Sequence, residues 1–175
     1  PDFFFGKGKE PADPLPVKYQ NNLTDPVDSA AYLTWYGHSS LFLEMEGKRI
    51  LIDPMLTGIA SPVSLGTKRF SNQEPVPLEE LDNIDYVIIS HDHYDHLDYK
   101  SILSLKDKVG HFYTTLGVGS RLKSWGVSAD KITELDWWEE LAVDSINLVA
   151  CPARHFSGRG FSDRNKTLWA SWVIK

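Results

Sequence analysis

The sequence is short of three features, and each shortage excludes a class of protein. Its single cysteine, Cys151, cannot form a disulfide within the chain, so nothing indicates an oxidising compartment. Its unbroken apolar runs, such as 3–5 and 87–89, are far shorter than the roughly 18 residues of a membrane-spanning helix. Its 18 basic residues are outnumbered by 24 acidic ones, and the net charge of -6 argues against nucleic-acid binding. We expect a cytoplasmic location, with peripheral membrane contact left open.

The remaining composition is that of a folded domain. Apolar residues make up 42% and charged residues 24% of the 175 residues, which fits one domain or part of one. Residues 1–28 contain five prolines and two glycines, a density that predicts an extended N-terminal arm without helix or sheet. Pro1 is not a start methionine, so we expect a trimmed N-terminus.

Strand and helix patterns alternate after the arm. Apolar, β-branched stretches bounded by turn residues predict strands, and apolar residues at helical spacing predict helices. The predicted elements are a hairpin of 32–46 and 49–53, a loop over 57–80, a strand over 85–90, a helix from its cap Asp98 to about Asp107, a strand over 111–115, a helix closed by Gly126, and strands over 131–135, 145–150 and 167–174. The last strand is rich in residues that need covering neighbours, so we expect the fold to continue in a further segment.

The strongest chemical signal is the run 91–96, His-Asp-His-Tyr-Asp-His, which follows a buried strand. Such a run is typical of a metal site, and a solvated, histidine-rich loop is the alternative. His91 and His93 lie two apart on extended backbone and so point to the same side, where they can share one ion. Asp95 and His96 come after the bend and are better placed for a second ion. Zinc suits these donors, and iron and manganese are compatible with them.

Other candidate residues support this run. His155 follows another apolar strand and is predicted as a third ligand of the first ion, with a core histidine as the alternative. His38 is a candidate to contact the metal ligands without binding the ion itself. Asp53 ends a strand beside the site, where it either fixes the ring N–H of a ligand histidine or caps the following turn, and both readings stay open. Asp92 and Tyr94 alternate away from the site and are expected to support or pack against it.

These segments together resemble a known family. The run 91–96, preceded by Leu-Ile-Asp-Pro at 51–54, resembles the metallo-β-lactamase superfamily. The likeness covers about residues 31–175 and is similar to the N-acyl-phosphatidylethanolamine-hydrolysing phospholipase D branch in segments 34–39, 61–62, 68–70, 89–99, 134–140, 165–166 and 168–169. The resemblance implies an α/β fold, the four-layer αβ/βα sandwich of the superfamily, of which residues 29–175 form the N-terminal half.

The resemblance also implies a set of metal ligands. It assigns His91, His93 and His155 to one zinc ion, and Asp95 and His96 to another. The family further needs an aspartate that bridges the two ions and a last histidine, both from the C-terminal half of the domain. We therefore expect that half to be missing or to lie on a second polypeptide.

The function that the resemblance implies is metal-dependent hydrolysis of a phosphodiester in a lipid, by a hydroxide that bridges two zinc ions. Asp95 is the expected catalytic residue, because a ligand carboxylate can also pass a proton to the leaving group. The candidate phosphate contacts are Lys68, Arg69 and Arg159. A lactonase of the same fold is the alternative enzyme, and a non-catalytic module that holds one metal is the alternative of another class.

Overall fold

The computed structural model describes residues 12–14, 16, 31–60, 67–68, 76, 78–79, 81–160 and 162–175. The predicted arm 1–28 lies almost wholly outside the described residues, as do Arg69 and the side chain of Lys68. The expectations for these residues therefore stay predictions.

The described chain is built mainly of strands. In chain order the elements are β1 (Tyr32–Gly37), β2 (Ser40–Met45), β3 (Lys48–Ile52), β4 (Ile59–Ala60), β5 (Thr67–Lys68), β6 (Ile84–Ile88), α1 (Tyr99–Leu105), β7 (Val109–Thr115), α2 (Gly119–Ser124), a 3-10 turn (Ala129–Lys131), β8 (Ile132–Leu135), β9 (Glu140–Val143), β10 (Ile146–Cys151) and β11 (Ser171–Ile174). Within the described ranges, no helix is long and apolar enough to cross a membrane.

Two sheets stack against each other. The larger has the order β1-β2-β3-β6-β7-β8, the smaller has the order β11-β10-β9, and β4 pairs separately with β5. In the larger sheet, β3, β6, β7 and β8 run parallel, and β1 and β2 add an antiparallel edge. Helices α1 and α2 follow β6 and β7 and pack on the face of the larger sheet away from the smaller one.

Alternate residues of the parallel strands face two separate cores, as the two-residue period of a strand requires. Leu51 and Phe112 are fully buried on the side of the two helices. Ile50 and Tyr113 face the smaller sheet, where Leu148 is fully buried against them. The resulting order of helix layer, large sheet and small sheet agrees with the α/β sandwich expected from the sequence.

The predicted hairpin was wrong in one respect, because 32–46 is two strands and not one. Gly37 and His38 adopt positive φ angles of 89° and 50°, which turn the chain back so that β1 pairs with β2. This left-handed conformation is open to glycine and uncommon for other residues. The structure thus contains two successive hairpins before the first parallel strand.

Further differences concern elements with weak patterns. Strand β9 was not predicted, because its acidic start at Glu140 and its exposed positions hide the alternation. Helix α1 buries Ser101, Ile102 and Leu105, whereas its first residue, Tyr99, is exposed. Asp98 caps this helix as predicted, since its side chain accepts the backbone N–H of Ser101 at 3.0 Å.

The carboxyl ends of β3, β6 and β10 meet at one edge of the two sheets. Asp53 follows β3, the run 91–96 follows β6, and His155 follows β10. In α/β sheets, ligand sites form at the carboxyl ends of the strands. The fold therefore gathers the predicted ligand residues from separate parts of the chain at this edge.

Candidate metal centre

Three imidazoles converge at this edge. Nε2 of His91 lies 2.9 Å from Nδ1 of His93 and 3.0 Å from Nε2 of His155. The nitrogen atoms of His93 and His155 are 3.2 Å apart. Tetrahedral zinc with Zn–N bonds of ~2.0–2.1 Å would hold two ligand nitrogens about 3.3 Å apart. The spacing of the three nitrogens thus fits a single cation of this size.

The hydrogen bonds around His91 determine which ring nitrogen carries its proton and which one presents a lone pair to the cluster. The hydroxyl of Ser90 donates to Oδ2 of Asp53 at 2.6 Å, so it accepts from Nδ1 of His91 at 2.9 Å. A neutral imidazole carries only one N–H. Nε2 of His91 therefore presents a lone pair to the other two rings, which is the form that binds a metal.

Electrostatics favours the neutral form of two of these imidazoles. Burial and the neighbouring imidazoles lower the pKa of His91 to about 3. Burial, followed by the nearby ring of His155, also lowers the pKa of His93 below its ordinary value. An imidazolium ring must lose one of its two N–H protons before it can bind a metal. The lowered pKa values mean that both residues are already neutral at neutral pH.

Asp95 and His96 form a second group beside the first. Oδ2 of Asp95 lies 3.0 Å from Nε2 of His38 and 3.9 Å from Nε2 of His96. Burial favours the neutral acid, but the bond to His38 and the charge of His96 outweigh burial and hold the pKa of Asp95 below its usual range. Among the described residues, the one group with three donors close enough to share an ion is the three-histidine cluster.

Asp53 contacts the second group directly and is connected to the first group through Ser90. Its Oδ2 lies 2.8 Å from Nδ1 of His96, and its two oxygens accept the backbone N–H and the hydroxyl of Ser90. Burial lowers the pKa of His96, but the bond to Asp53 more than compensates and raises it. Of the two roles left open for Asp53, the geometry favours fixing a ligand histidine, and Nε2 of His96 is left facing Asp95.

A protein-family model matches most of the chain. The model described as "Beta-lactamase superfamily domain" matches residues 48–175. The chain belongs to the beta-lactamase superfamily. Its two stacked sheets are those that the sequence resemblance to this superfamily led us to expect.

Several relatives in the superfamily share most of this chain. An uncharacterised protein of Mycobacterium tuberculosis is 44% identical over 165 residues, which are 94% of this chain and 44% of that protein. N-acyl-phosphatidylethanolamine-hydrolyzing phospholipase D 1 of Caenorhabditis elegans is 35% identical over 84% of this chain and 44% of its own length. The mitochondrial enzyme of that name in Saccharomyces cerevisiae is 34% identical over 95% of this chain and 38% of its own. The chain spans less than half the length of these curated relatives.

Solved structures confirm the superfamily fold. CmlA, a diiron beta-hydroxylase from Streptomyces venezuelae, aligns with a TM-score of 0.60 and 22% identity over 86% of this chain and 28% of its own. Igni18, a metallo hydrolase from Ignicoccus hospitalis, aligns with a TM-score of 0.56 and 22% identity over 82% of this chain and 55% of its own. At these identities the likeness shows the metallo-β-lactamase-type sandwich and nothing about chemistry.

Some residues beside the three-histidine cluster make contacts that the sequence did not indicate. The guanidinium of Arg159, a predicted phosphate contact, donates to backbone carbonyls of the run 91–96 and its flank. Phe156 was not predicted, yet its half-exposed ring lies 4.7 Å from that of His93, between ring centroids. Ser90, which orients His91, was missed as well, although its position directly before the run was a usable signal.

Proposed function

We propose that this chain provides the first cation site of a metal-dependent hydrolase, with zinc as the ion. The observation that carries the proposal is the convergence of His91, His93 and His155 with donor atoms 2.9 to 3.2 Å apart. Imidazole donors also accept iron and manganese, so the ion is an explicit part of the test. Bound zinc lowers the pKa of a water molecule from 15.7 to about 7 and so supplies a nucleophile at neutral pH.

The residues around the ion orient its ligands and carry charge. Ser90 accepts the N–H of His91 and aims the opposite nitrogen into the cluster. Asp95 is ionised at neutral pH, and its pKa is held below its usual range. We propose that Asp95 and His96 bind a second cation and that Asp95 carries a proton toward the leaving group.

The proposed substrate is a phosphodiester in a lipid, N-acyl-phosphatidylethanolamine in the first instance. Support comes from the two phospholipase D relatives, which are 34% to 35% identical over 84% to 95% of this chain. Lys68, Arg69 and Arg159 stay predicted phosphate contacts. A lactone would be attacked by the same nucleophile, but the similarity to the two phospholipases favours the phosphodiester.

We also propose that a further segment of the domain, on the same or a second polypeptide, completes the second cation site. Asp95 and His96 are only two donors, and the curated relatives are more than twice as long as this chain. The proposed segment supplies a bridging carboxylate and one more histidine. If no such segment exists, the chain is a metal-binding module that holds one ion and catalyses nothing.

The test is the replacement His93→Ala in the complete protein, with His111→Gln as the matched control. His111 is a histidine of β7 whose Nε2 bonds to the hydroxyl of Thr133 at 2.8 Å, and glutamine can keep that bond. We expect His93→Ala to lose bound zinc and to lower phosphodiester turnover on the order of 10³-fold, with little change in His111→Gln. Unchanged turnover and zinc content in His93→Ala would contradict the proposal, and faster cleavage of a lactone would redirect it.

A further inference from the structure

The loop that carries the third imidazole is tied to the run 91–96 by the side chain of Arg159. Its Nη1 donates to the carbonyl oxygen of Asp92 at 2.8 Å and to that of Leu97 at 2.6 Å. The guanidinium also lies over the ring of Tyr94, 4.0 Å from the ring centroid. One side chain thus spans the run from its second residue to the residue just after its end.

Two hydrogen bonds join the same segments through other atoms. The hydroxyl of Tyr94 donates to the carbonyl oxygen of Arg159 at 2.6 Å. The backbone N–H of Gly158 donates to Oδ1 of Asp92 at 2.8 Å, and that carboxylate is fully buried. The residues of the run therefore divide by alternation, because the first two histidines face the cluster while the residues after each of them bind this loop.

Helix α2 braces the loop from the other side. Oδ1 of Asp163 accepts the backbone N–H groups of Arg159 and Gly160 at 3.1 and 2.7 Å. Oδ2 of Asp163 pairs with Arg121 at 2.6 Å, and the same nitrogen of Arg121 lies 3.5 Å from the carboxylate of Asp92. The loop is thereby fixed to both the run and the helix.

We propose that Arg159 is a positioning residue of the cation site, which latches the loop of His155 to the run that carries His91 and His93. The inference rests on the proposed function, since it assumes that the cluster binds a cation. The ligands come from segments 62 residues apart in the sequence, so the chain alone does not fix their spacing. A planar guanidinium that donates to two carbonyls sets this spacing more rigidly than a flexible ammonium can.

The decisive variant is Arg159→Lys in the complete protein, loaded with cobalt in place of zinc. Lysine keeps a positive charge for a substrate phosphate but lacks the planar guanidinium that lies over the ring of Tyr94 while it donates to both carbonyls, so the two roles of Arg159 separate. We expect cobalt affinity to fall about 10- to 100-fold, as is typical when a residue that holds metal ligands is lost. The visible absorption of bound cobalt, which reports ligand geometry, should shift as well.

Two companion variants make the result specific. Tyr94→Phe removes only the hydroxyl that bonds to Arg159, and we expect a smaller loss of affinity, about 2- to 10-fold. It keeps the proposal testable if Arg159→Lys fails to fold. Arg154→Lys is the matched control, because Arg154 is exposed on the same loop and has no hydrogen bond to another described residue. It should bind cobalt like the wild type.

The outcomes separate this inference from the proposed function. If the wild type binds no cobalt at the cluster, the proposed function fails and the inference with it. If the wild type binds cobalt while Arg159→Lys and Tyr94→Phe share its affinity and spectrum, the inference alone is wrong. The inference would also be wrong if the two variants melted at lower temperatures in the presence of a chelator but kept the cobalt spectrum of the wild type. Such a result would show that Arg159 stabilises the fold without setting the geometry of the ligands.

Discussion

The two groups of candidate ligands differ in what their donor atoms face. In the three-histidine group, the nitrogens of His91, His93 and His155 face one another at 2.9 to 3.2 Å. In the second group, Oδ2 of Asp95 and Nε2 of His96 are 3.9 Å apart, beyond hydrogen-bonding distance. The first group is thus a complete set of three donors, whereas the second is a pair that needs further ligands to hold an ion.

The origin of each group in the fold explains the difference. The first group joins the ends of β6 and β10, which belong to different sheets, so tertiary structure brings its members together. Asp95 and His96 are neighbours on one bend, and their partners His38 and Asp53 directly follow strands β1 and β3. These partners hold the pair in place without adding a third donor. We therefore expect the two groups to bind cations with very different affinities.

The largest effect should follow from removing a member of the first group. We expect His155→Ala to lower zinc affinity on the order of 10²- to 10³-fold, because two histidines are a poor substitute for three. In contrast, His96→Ala should leave the tight site intact. Titration calorimetry of the metal-free complete protein measures both. Loss of the tight site in His96→Ala would show that the two groups act as one, against the comparison drawn above.

A smaller effect is expected from Asp53→Asn, which changes a side chain that contacts His96 directly and His91 only through Ser90. The amide keeps the size of the carboxylate but removes its negative charge and one of the two oxygens that accept hydrogen bonds from Ser90 and His96. We expect zinc to bind the second group about 10- to 100-fold more weakly, with a lesser change at the first. Asp107→Asn, on the exposed end after α1, is the control. Equal losses at both groups would show that Asp53 supports them alike.

The sequence predicted the part of the site that depends on local geometry. The two-residue spacing of His91 and His93 on extended backbone was enough to place both rings on one side. His155 was predicted as a third ligand from its position directly after another apolar strand. The family resemblance extended these inferences to the sandwich fold, which the comparisons confirm.

The parts that could not be predicted depend on partners without a sequence signature. Arg159 looked like a surface cation near a phosphate, but its donors meet backbone carbonyls, which every residue possesses. The choice between two roles for Asp53 depended on which ring nitrogen lay within 3 Å, a tertiary fact. The turn at His38 was hidden for a similar reason, because a positive φ at a non-glycine residue leaves only a weak preference in the sequence.

The next prediction concerns His38, which touches only the second group. We choose His38→Asn, because asparagine tolerates the positive φ of 50° at this position. Asp95 loses its bond to His38, so its pKa should rise toward the ordinary value. Since the bond is half exposed, zinc affinity of the second group should fall only about 2- to 10-fold. Competition titrations with a chelator resolve such a change, and an effect on the first group would contradict it.

The last prediction concerns Tyr86, in the core between the sheets. It tests whether the different zinc affinities of the two groups depend only on their own side chains or also on this core. Its hydroxyl donates to Asp144, whose carboxylate also pairs with Lys48 at 2.6 Å. Burial and the bond to Asp144 raise the pKa of Tyr86 to about 12. The folded state thus keeps this proton to higher pH than the unfolded chain, so the stability it provides is complete below about pH 10 and lost by about pH 12.

Tyr86→Phe should therefore flatten the alkaline loss of stability and leave both cation sites unchanged. We expect the unfolding free energy of the wild type to fall by about 2 to 3 kcal/mol more than that of the variant between pH 9 and pH 12. Part of the slope should remain, because burial also raises the pKa of Tyr113. Urea denaturation measures the slopes, and zinc titration at pH 7 measures the sites. If zinc affinity also changes, the two ligand groups are coupled through the sheet core, and their difference is a property of the whole fold.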